Sequence, residues 1–282
     1  MSVASRAPTL GVSTENTMNT PTPISSGSIP EILSHVDAGV MTITLNRLDK
    51  KNSITAVMYG AMADALESAN HDAAVRAVVI QGHETIFSAG NDIADFLNKP
   101  PATQDSPVFR FLRGISSFPK PLVAAVCGPA VGIGTTLLLH CDLVYAGDNA
   151  AFSMPFVNLG LCPEAASSFL VPQLMGYPRA AEALLLGEPF MAETALEIGL
   201  INRIVPPTEA NALAQRQAQK LVSKPLSALM ETKRLMKKGN ATVIAERMAE
   251  EGASFGRMLG EPAAREAFSA FLEKRRPDFS AV

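Results

Sequence analysis

Hydrophobic positions set the first divisions of the chain. Val40-Met41-Thr42-Ile43-Thr44-Leu45 alternates apolar and hydroxyl-bearing residues and is rich in β-branched side chains, which predicts a strand. Residues 53–70 follow with apolar positions at helical spacing. Residues 77–80 (Ala-Val-Val-Ile) and 121–126 (Pro-Leu-Val-Ala-Ala-Val) are short apolar runs that end at Gly82 and Gly128, the form of buried strands. Residues 142–146 and 201–205 predict further strands, and 163–175 and 179–186 between them have a helical pattern. Short strands alternating with helices predict an α/β core.

Beyond Pro206 the pattern is wholly helical, over 209–222, 225–238, 242–259 and 262–274, with Pro225 and Pro262 near helix starts where proline is tolerated. The segment 242–259 places Ile244, Met248, Phe255, Met258 and Leu259 on one face, interrupted by Glu251, with Glu246, Glu250 and Arg257 turned away. Such a stripe is costly to leave in water, so it predicts cover from the core or from a neighbouring subunit. Residues 1–28 are rich in Ser, Thr, Pro and Asn and lack the apolar groups that would offset the entropy of ordering. The expected organisation is a disordered tail over 1–28, a core over 29–206 and a helical region over 207–282.

With 47% hydrophobic residues among 282, the chain can bury a large core without disulfides or metals. A net charge of -3 supplies no basic field for a polyanion, which argues against nucleic-acid binding. Cys127, Cys141 and Cys162 lie in apolar stretches, with no metal-ligand or bridge spacing, so no metal is expected and a reducing cytoplasm fits. Apolar runs such as 122–127 are far shorter than a membrane span, and the N-terminus has no charged and then apolar leader, so no membrane partner is expected. The final Ser280-Ala281-Val282 is not a peroxisomal address.

Two glycine turns carry the candidate chemistry. Phe87-Ser88-Ala89-Gly90-Asn91-Asp92 follows one buried strand, and Gly128 to Thr136, with Gly132 and Gly134, follows another and opens a helix. Glycines at such junctions let backbone approach a ligand, and outward N–H groups there suit developing negative charge. The spacing is neither a dinucleotide fingerprint nor a P-loop. Two turns from separate strands are the parts of a two-donor oxyanion hole.

At these residues the chain resembles the enoyl-CoA hydratases and isomerases of the crotonase superfamily. The resemblance is carried, in order, by Leu45-Asn46-Arg47 with Asn52-Ser53-Ile54, the 87–92 and 120–134 blocks, Cys141 to Ala146, Leu159-Gly160 with Pro163-Glu164, and the 195–205 segment. It spans about residues 30 to 280. It implies a spiral of ββα repeats with a helical C-terminal oligomerisation region, assembled as a homotrimer or hexamer, acting on an acyl-CoA thioester. No cofactor is implied beyond the coenzyme A that is part of the substrate. Carried over by position, the oxyanion donors are the backbone N–H groups of Asn91 and Ile133. Ser53, Ala89, Asp92, Ile93 and Gly134 join Asn91 and Ile133 around the substrate.

Hydration calls for two acid/base groups around one water, and the matching positions hold Thr136 and Phe156, neither of which can serve. One acid remains, Glu164, set among Leu, Cys, Pro and Ala, where burial raises a carboxyl pKa. A single carboxylate suits a proton shuttle. The Gly-Asn-Asp and Pro-Glu sequences resemble the peroxisomal-type 3,2-enoyl-CoA isomerase branch, which implies a shift of the double bond from 3-enoyl-CoA to 2-trans-enoyl-CoA. Another reaction of the superfamily, hydration or thioester hydrolysis, and a non-catalytic acyl-CoA-binding protein stay open as alternatives. Met58, Phe96, Phe109, Phe111 and Leu112 are candidates for the acyl pocket, and Arg47, Lys50, Lys51 and 274–276 for the CoA phosphates. Asp92 reads more readily as a helix cap than as a catalytic acid, and His140 as a core histidine than as a base.

Overall fold

The computed structural model describes residues 1–2, 31–98, 103 and 105–280. The expected tail over 1–28 therefore lies, but for Met1 and Ser2, outside the described residues. β1 (Ile32–Asp37) and β2 (Val40–Leu45) form an antiparallel hairpin whose turn residues Ala38 and Gly39 have φ of 43° and 83°. Positive φ at both central positions matches the right-handed strand twist. β3 (Ala77–Gln81), β4 (Leu122–Val126), β6 (Leu143–Gly147) and β9 (Arg203–Val205) then add in parallel, giving a six-stranded sheet in the order β1-β2-β3-β4-β6-β9. The apolar runs of β3, β4 and β6 lack alternation because both faces are covered.

A second layer of short strands runs beside the first. β5 (Pro129–Val131), β7 (Ala151–Ser153) and β8 (Phe190–Met191) form a three-stranded sheet, which single bridges extend from Ala130 to Ser88 and, further on, from Asn91 to Ile54. The chain thus visits the large sheet, then the second layer, then a helix, and repeats. α1 (Ala56–His71) follows Ile54, α2 (Ile93–Asn98) follows Asn91, α4 (Ile133–Thr136) follows β5, and α5 (Ser167–Met175) follows β7. This is the expected crotonase spiral of ββα units. α3 (Pro107–Ser117) lies against α1.

Helix boundaries shift where the second layer takes residues. α1 starts at Ala56 rather than 53, because Ile54 is in a bridge and the Thr55 hydroxyl accepts the Met58 N–H at 3.2 Å as the cap. α5 starts at Ser167 rather than 163, for a reason that belongs to the site. The predicted helix 179–186 is α6 (Tyr177–Ala181) continued by a π-turn at Glu182–Leu186, and α7 (Ala192–Glu197) follows β8.

The C-terminal helices are α8 (Pro207–Val222), α9 (Leu226–Lys237), α10 (Ala241–Met258) and α11 (Pro262–Leu272). α8 covers the large sheet, where Leu213, Ala214 and Ala218 pack with Val40, Val79, Val123 and Tyr145. On α10 Phe255 is buried and Ile244, Met248, Met258 and Leu259 are half-buried. Glu251 is buried as well, at 5% exposure. Among the described residues, no helix is long and apolar enough to cross a membrane.

Candidate active site

The first donor follows from strand geometry. Ile54 donates its N–H to the Gly90 carbonyl at 2.8 Å and accepts the Asp92 N–H at 3.0 Å. Parallel pairing of this form leaves the N–H and C=O of the intervening Asn91 pointing away from Ile54. Gly90 is required here: its φ is +85°, and a Cβ would lie 2.9 Å from the Val131 carbonyl oxygen. Ser88 braces the turn, its hydroxyl accepting the Gly90 N–H at 3.1 Å and donating to the Asn52 carbonyl at 2.9 Å.

The second donor sits on the next repeat. Gly132, at φ +55°, donates its N–H to Ser153 at 2.9 Å and lets the chain turn into α4, where the Thr135 and Thr136 N–H groups bond back to its carbonyl. Ile133 is the first helical residue, so its N–H precedes the intrahelical ladder. Among the described residues neither the Asn91 nor the Ile133 N–H has a protein acceptor.

The candidate base, Glu164, is half-buried in the wall of a cavity. Burial pushes its carboxyl up to about 8; the Thr136 hydroxyl, which donates to Oε1, opposes the rise, and the charge of Glu251 adds to it. Ala165 and Ala166 follow with φ of 59° and 56°, a conformation costing on the order of 1 kcal/mol or more for each non-glycine residue. Distant groups hold this turn. The His140 ring bonds the Ala165 carbonyl at 2.8 Å, and the Glu251 carboxylate accepts the Ala166 and Ser168 N–H groups at 2.6 and 2.9 Å. This left-handed turn is why α5 begins late, and Glu251 caps it. The residue that interrupts the apolar stripe of α10 therefore has a partner across the site.

Two cavities meet at Asn91, Phe96 and Phe255. The larger, of about 480 Å³, holds Tyr59, Glu164 and Ala165 on one side, Val108, Phe109 and Leu112 of α3 on another, and Met248, Ala249, Gly252, Ala253 and Gly256 of α10 as its far wall. The smaller, of about 270 Å³, lies between Ala89, Ile93, Ile133, Phe156 and Phe271. Tyr59 joins the halves of the site: its hydroxyl donates to Asn91 Oδ1 at 2.5 Å, and burial together with the nearby Glu164 holds its phenol well above the ordinary range.

The sequence-derived residues divide accordingly. Asn91 lines both cavities, Glu164 the larger, and Ala89, Ile93 and Ile133 the smaller. Gly134 lies behind the wall, where a Cβ would press to 3.1 Å on Ser88. Ser53 and Asp92 are turned to Arg47 instead, whose guanidinium donates to Ser53 Oγ at 2.9 Å and Asp92 Oδ2 at 2.8 Å and pairs with Glu31 at 3.0 Å. Burial alone would raise the Asp92 carboxyl, yet the Asp95 N–H and Arg47 hold it below its ordinary value. Asp92 is thus the cap of α2, and Arg47 already has its anions. Of the acyl-pocket candidates Phe96, Phe109 and Leu112 face the cavity, whereas Met58 and Phe111 are fully buried core, Phe111 with its ring 5.6 Å from that of Tyr59. Sequence reasoning missed Tyr59 and the α10 wall. The small residues Ala249, Gly252, Ala253 and Gly256, three and four apart, were the available signal for the latter.

The chain belongs to the enoyl-CoA hydratase/isomerase family, which matches residues 35–281, and so to the crotonase superfamily of acyl-CoA enzymes. The 1,2-epoxyphenylacetyl-CoA isomerase of Escherichia coli (strain K12) is 36% identical over 259 residues, 88% of this chain and 98% of the relative. Enoyl-CoA delta isomerase 2 of Rattus norvegicus is 38% identical over 213 residues, 73% of this chain and 54% of the rat protein, so the match spans about half the rat protein's length. Among solved structures, Pseudomonas aeruginosa OdaA has a TM-score of 0.84 at 48% identity, covering 86% of this chain and 98% of that one. The family description includes both hydratases and isomerases.

Proposed function

We propose that the chain is an enoyl-CoA delta isomerase, converting a 3-enoyl-CoA to 2-trans-enoyl-CoA. The observation that carries this reading is that Glu164 is the sole carboxylate lining either cavity among the described residues. The acyl chain occupies the larger cavity, with the thioester oxygen at the Asn91 and Ile133 N–H groups. The Glu164 carboxylate removes a proton from C2, and the electron pair moves onto the thioester oxygen as a dienolate. Donors placed where charge develops are worth about 3–4 kcal/mol each in the transition state. Glu164 then returns the proton to C4, and the alkene re-forms between C2 and C3. A carboxyl titrating near 8 is a stronger base for a carbon acid than an ordinary glutamate, and a competent donor afterwards.

Hydration lacks support because the other two positions around the site hold Thr136 and Phe156. Incubation with 3-enoyl-CoA and 2-enoyl-CoA of several lengths tests the assignment. Isomerisation leaves the mass unchanged and moves the retention time, and a product heavier by one water sinks it. The proposal extends to a homotrimer or trimer pair. Exposed Tyr177, Leu185, Leu186, Leu235, Met236 and Phe271 are apolar surface for such contacts. Light scattering near the 29.8 kDa of one chain excludes it.

A further inference from the structure

The Thr136 side chain is fully buried and its hydroxyl donates to Glu164 Oε1. Its neighbour Thr135 behaves differently, donating to the Ala130 backbone carbonyl at 2.5 Å and accepting the Ser153 N–H at 3.2 Å, a structural use of the same group. A threonine on a helix is limited to about two χ1 rotamers, so α4 leaves the Thr136 hydroxyl few directions, and the bond to Glu164 selects one. Ile133, the first residue of that turn, carries the candidate oxyanion N–H. One turn of helix therefore presents a donor to the thioester oxygen and another to the base. Glu164 Oε2 has no protein partner among the described residues.

We propose that Thr136 is the positioning residue for the base: it holds Oε1 of Glu164 and leaves Oε2 to face the substrate carbon. Only the kinetic half of this inference rests on the isomerase reading.

The surroundings leave Thr136 as the group that favours the carboxylate. The titratable groups facing Glu164 are Tyr59 from α1, Cys162 from the preceding loop, and Glu251 from α10; His140, from the turn after α4, reaches the next residue's carbonyl. Burial holds Tyr59 and Cys162 up, in their neutral forms, and takes His140 down to about 4, also neutral. Glu251 opposes a second negative charge nearby. A donated hydrogen bond to a charged group is worth enough to move a carboxyl by about one to two pH units.

The test compares the wild type with Thr136→Val and Thr136→Ser. The Glu164 carboxyl is titrated by infrared difference spectroscopy, with Glu164→Gln to assign its band, and kcat and KM for a 3-enoyl-CoA are followed against pH. The Val variant should titrate about one to two pH units higher, with kcat near pH 7 reduced about 10- to 100-fold and KM within about threefold. The Ser variant should return both towards wild type. A Val carboxyl titrating within about 0.3 pH unit of wild type overturns the proposal, since one hydrogen bond predicts more. Should the Val protein not fold, Thr136→Ala removes the same hydroxyl without adding a methyl group, and the same criterion applies. The titration needs no turnover. A shifted band in a protein that does not isomerise 3-enoyl-CoA therefore supports the positioning role while removing the isomerase reading.

Discussion

The two edges of the site are held in different ways. On the candidate donor edge, Asn91 and Ile133 present backbone N–H groups, aimed by positive-φ Gly90 and Gly132 and by backbone pairing with Ile54 and Ser153. On the base edge, Glu164 contributes a side chain from a left-handed alanine turn that His140 and Glu251 secure from distant parts of the chain. A backbone donor tolerates almost any side chain, which is how Ile133 occupies its place. A carboxylate must be oriented, desolvated and hydrogen-bonded, so its edge depends on particular side chains, those of Thr136, His140 and Glu251.

After loss of the base itself, the largest expected effect comes from breaking the donor edge. Ile133→Pro removes the N–H at the first helical position, where proline is tolerated, and should lower kcat/KM by about 10²- to 10³-fold. Ile133→Val keeps the N–H and should stay within about threefold. If both variants fall together, the Ile133 side chain rather than its backbone is in use.

The base edge should show its cost as stability. A carboxyl raised from 4.5 to about 8 favours the protonated folded protein, so wild-type stability declines as pH rises through the unfolded value towards about 8 and then levels. Glu164→Gln stays neutral throughout. In urea it should become more stable than wild type over that window, by a gap on the order of 3 kcal/mol. A constant gap from pH 5 to pH 9 contradicts the raised carboxyl. A smaller loss is expected for Glu251→Ala, about 2 kcal/mol, because two buried N–H groups at the start of α5 lose their acceptor. Denaturation near the wild-type midpoint shows that water replaces the cap.

The smallest effect concerns the wall. A Cβ at Gly256 meets no heavy atom within 4 Å. Gly256→Leu should therefore fold normally while filling the larger cavity, lowering kcat/KM about tenfold for the longest acyl chains accepted and leaving short chains within about threefold. A uniform change across chain lengths places the acyl group elsewhere.

The same contrast explains what the sequence showed. β2 lies at the 40–45 predicted from its alternation, and β3, β4 and β6 lie within one residue of their predicted bounds, because a strand buried on both faces is a continuous apolar run; β9, at the sheet edge with Arg203 exposed, starts two residues later than predicted. The second layer was illegible: β5, β7 and β8 have two or three residues each and their extension consists of single bridges, too short for any period. Both donor turns were legible because glycine marks positive φ. Of the base edge only Glu164 itself could be read, from its apolar neighbours. Glu251 looked like a defect in a stripe, since its partner lies 85 residues away. Phe109 and Phe111 are alike in composition, and only packing against α1 sends Phe111 into the core.

The central claim is that one carboxylate moves the proton, and it is tested most directly by comparing wild type and Glu164→Gln on the same 3-enoyl-CoA. Wild type should release 2-trans-enoyl-CoA at unchanged mass. The Gln variant should bind the CoA ester within about threefold of wild type while losing about 10²- to 10⁴-fold in turnover. Wild-type turnover by the Gln variant would contradict that claim, because no other carboxylate lines either cavity among the described residues.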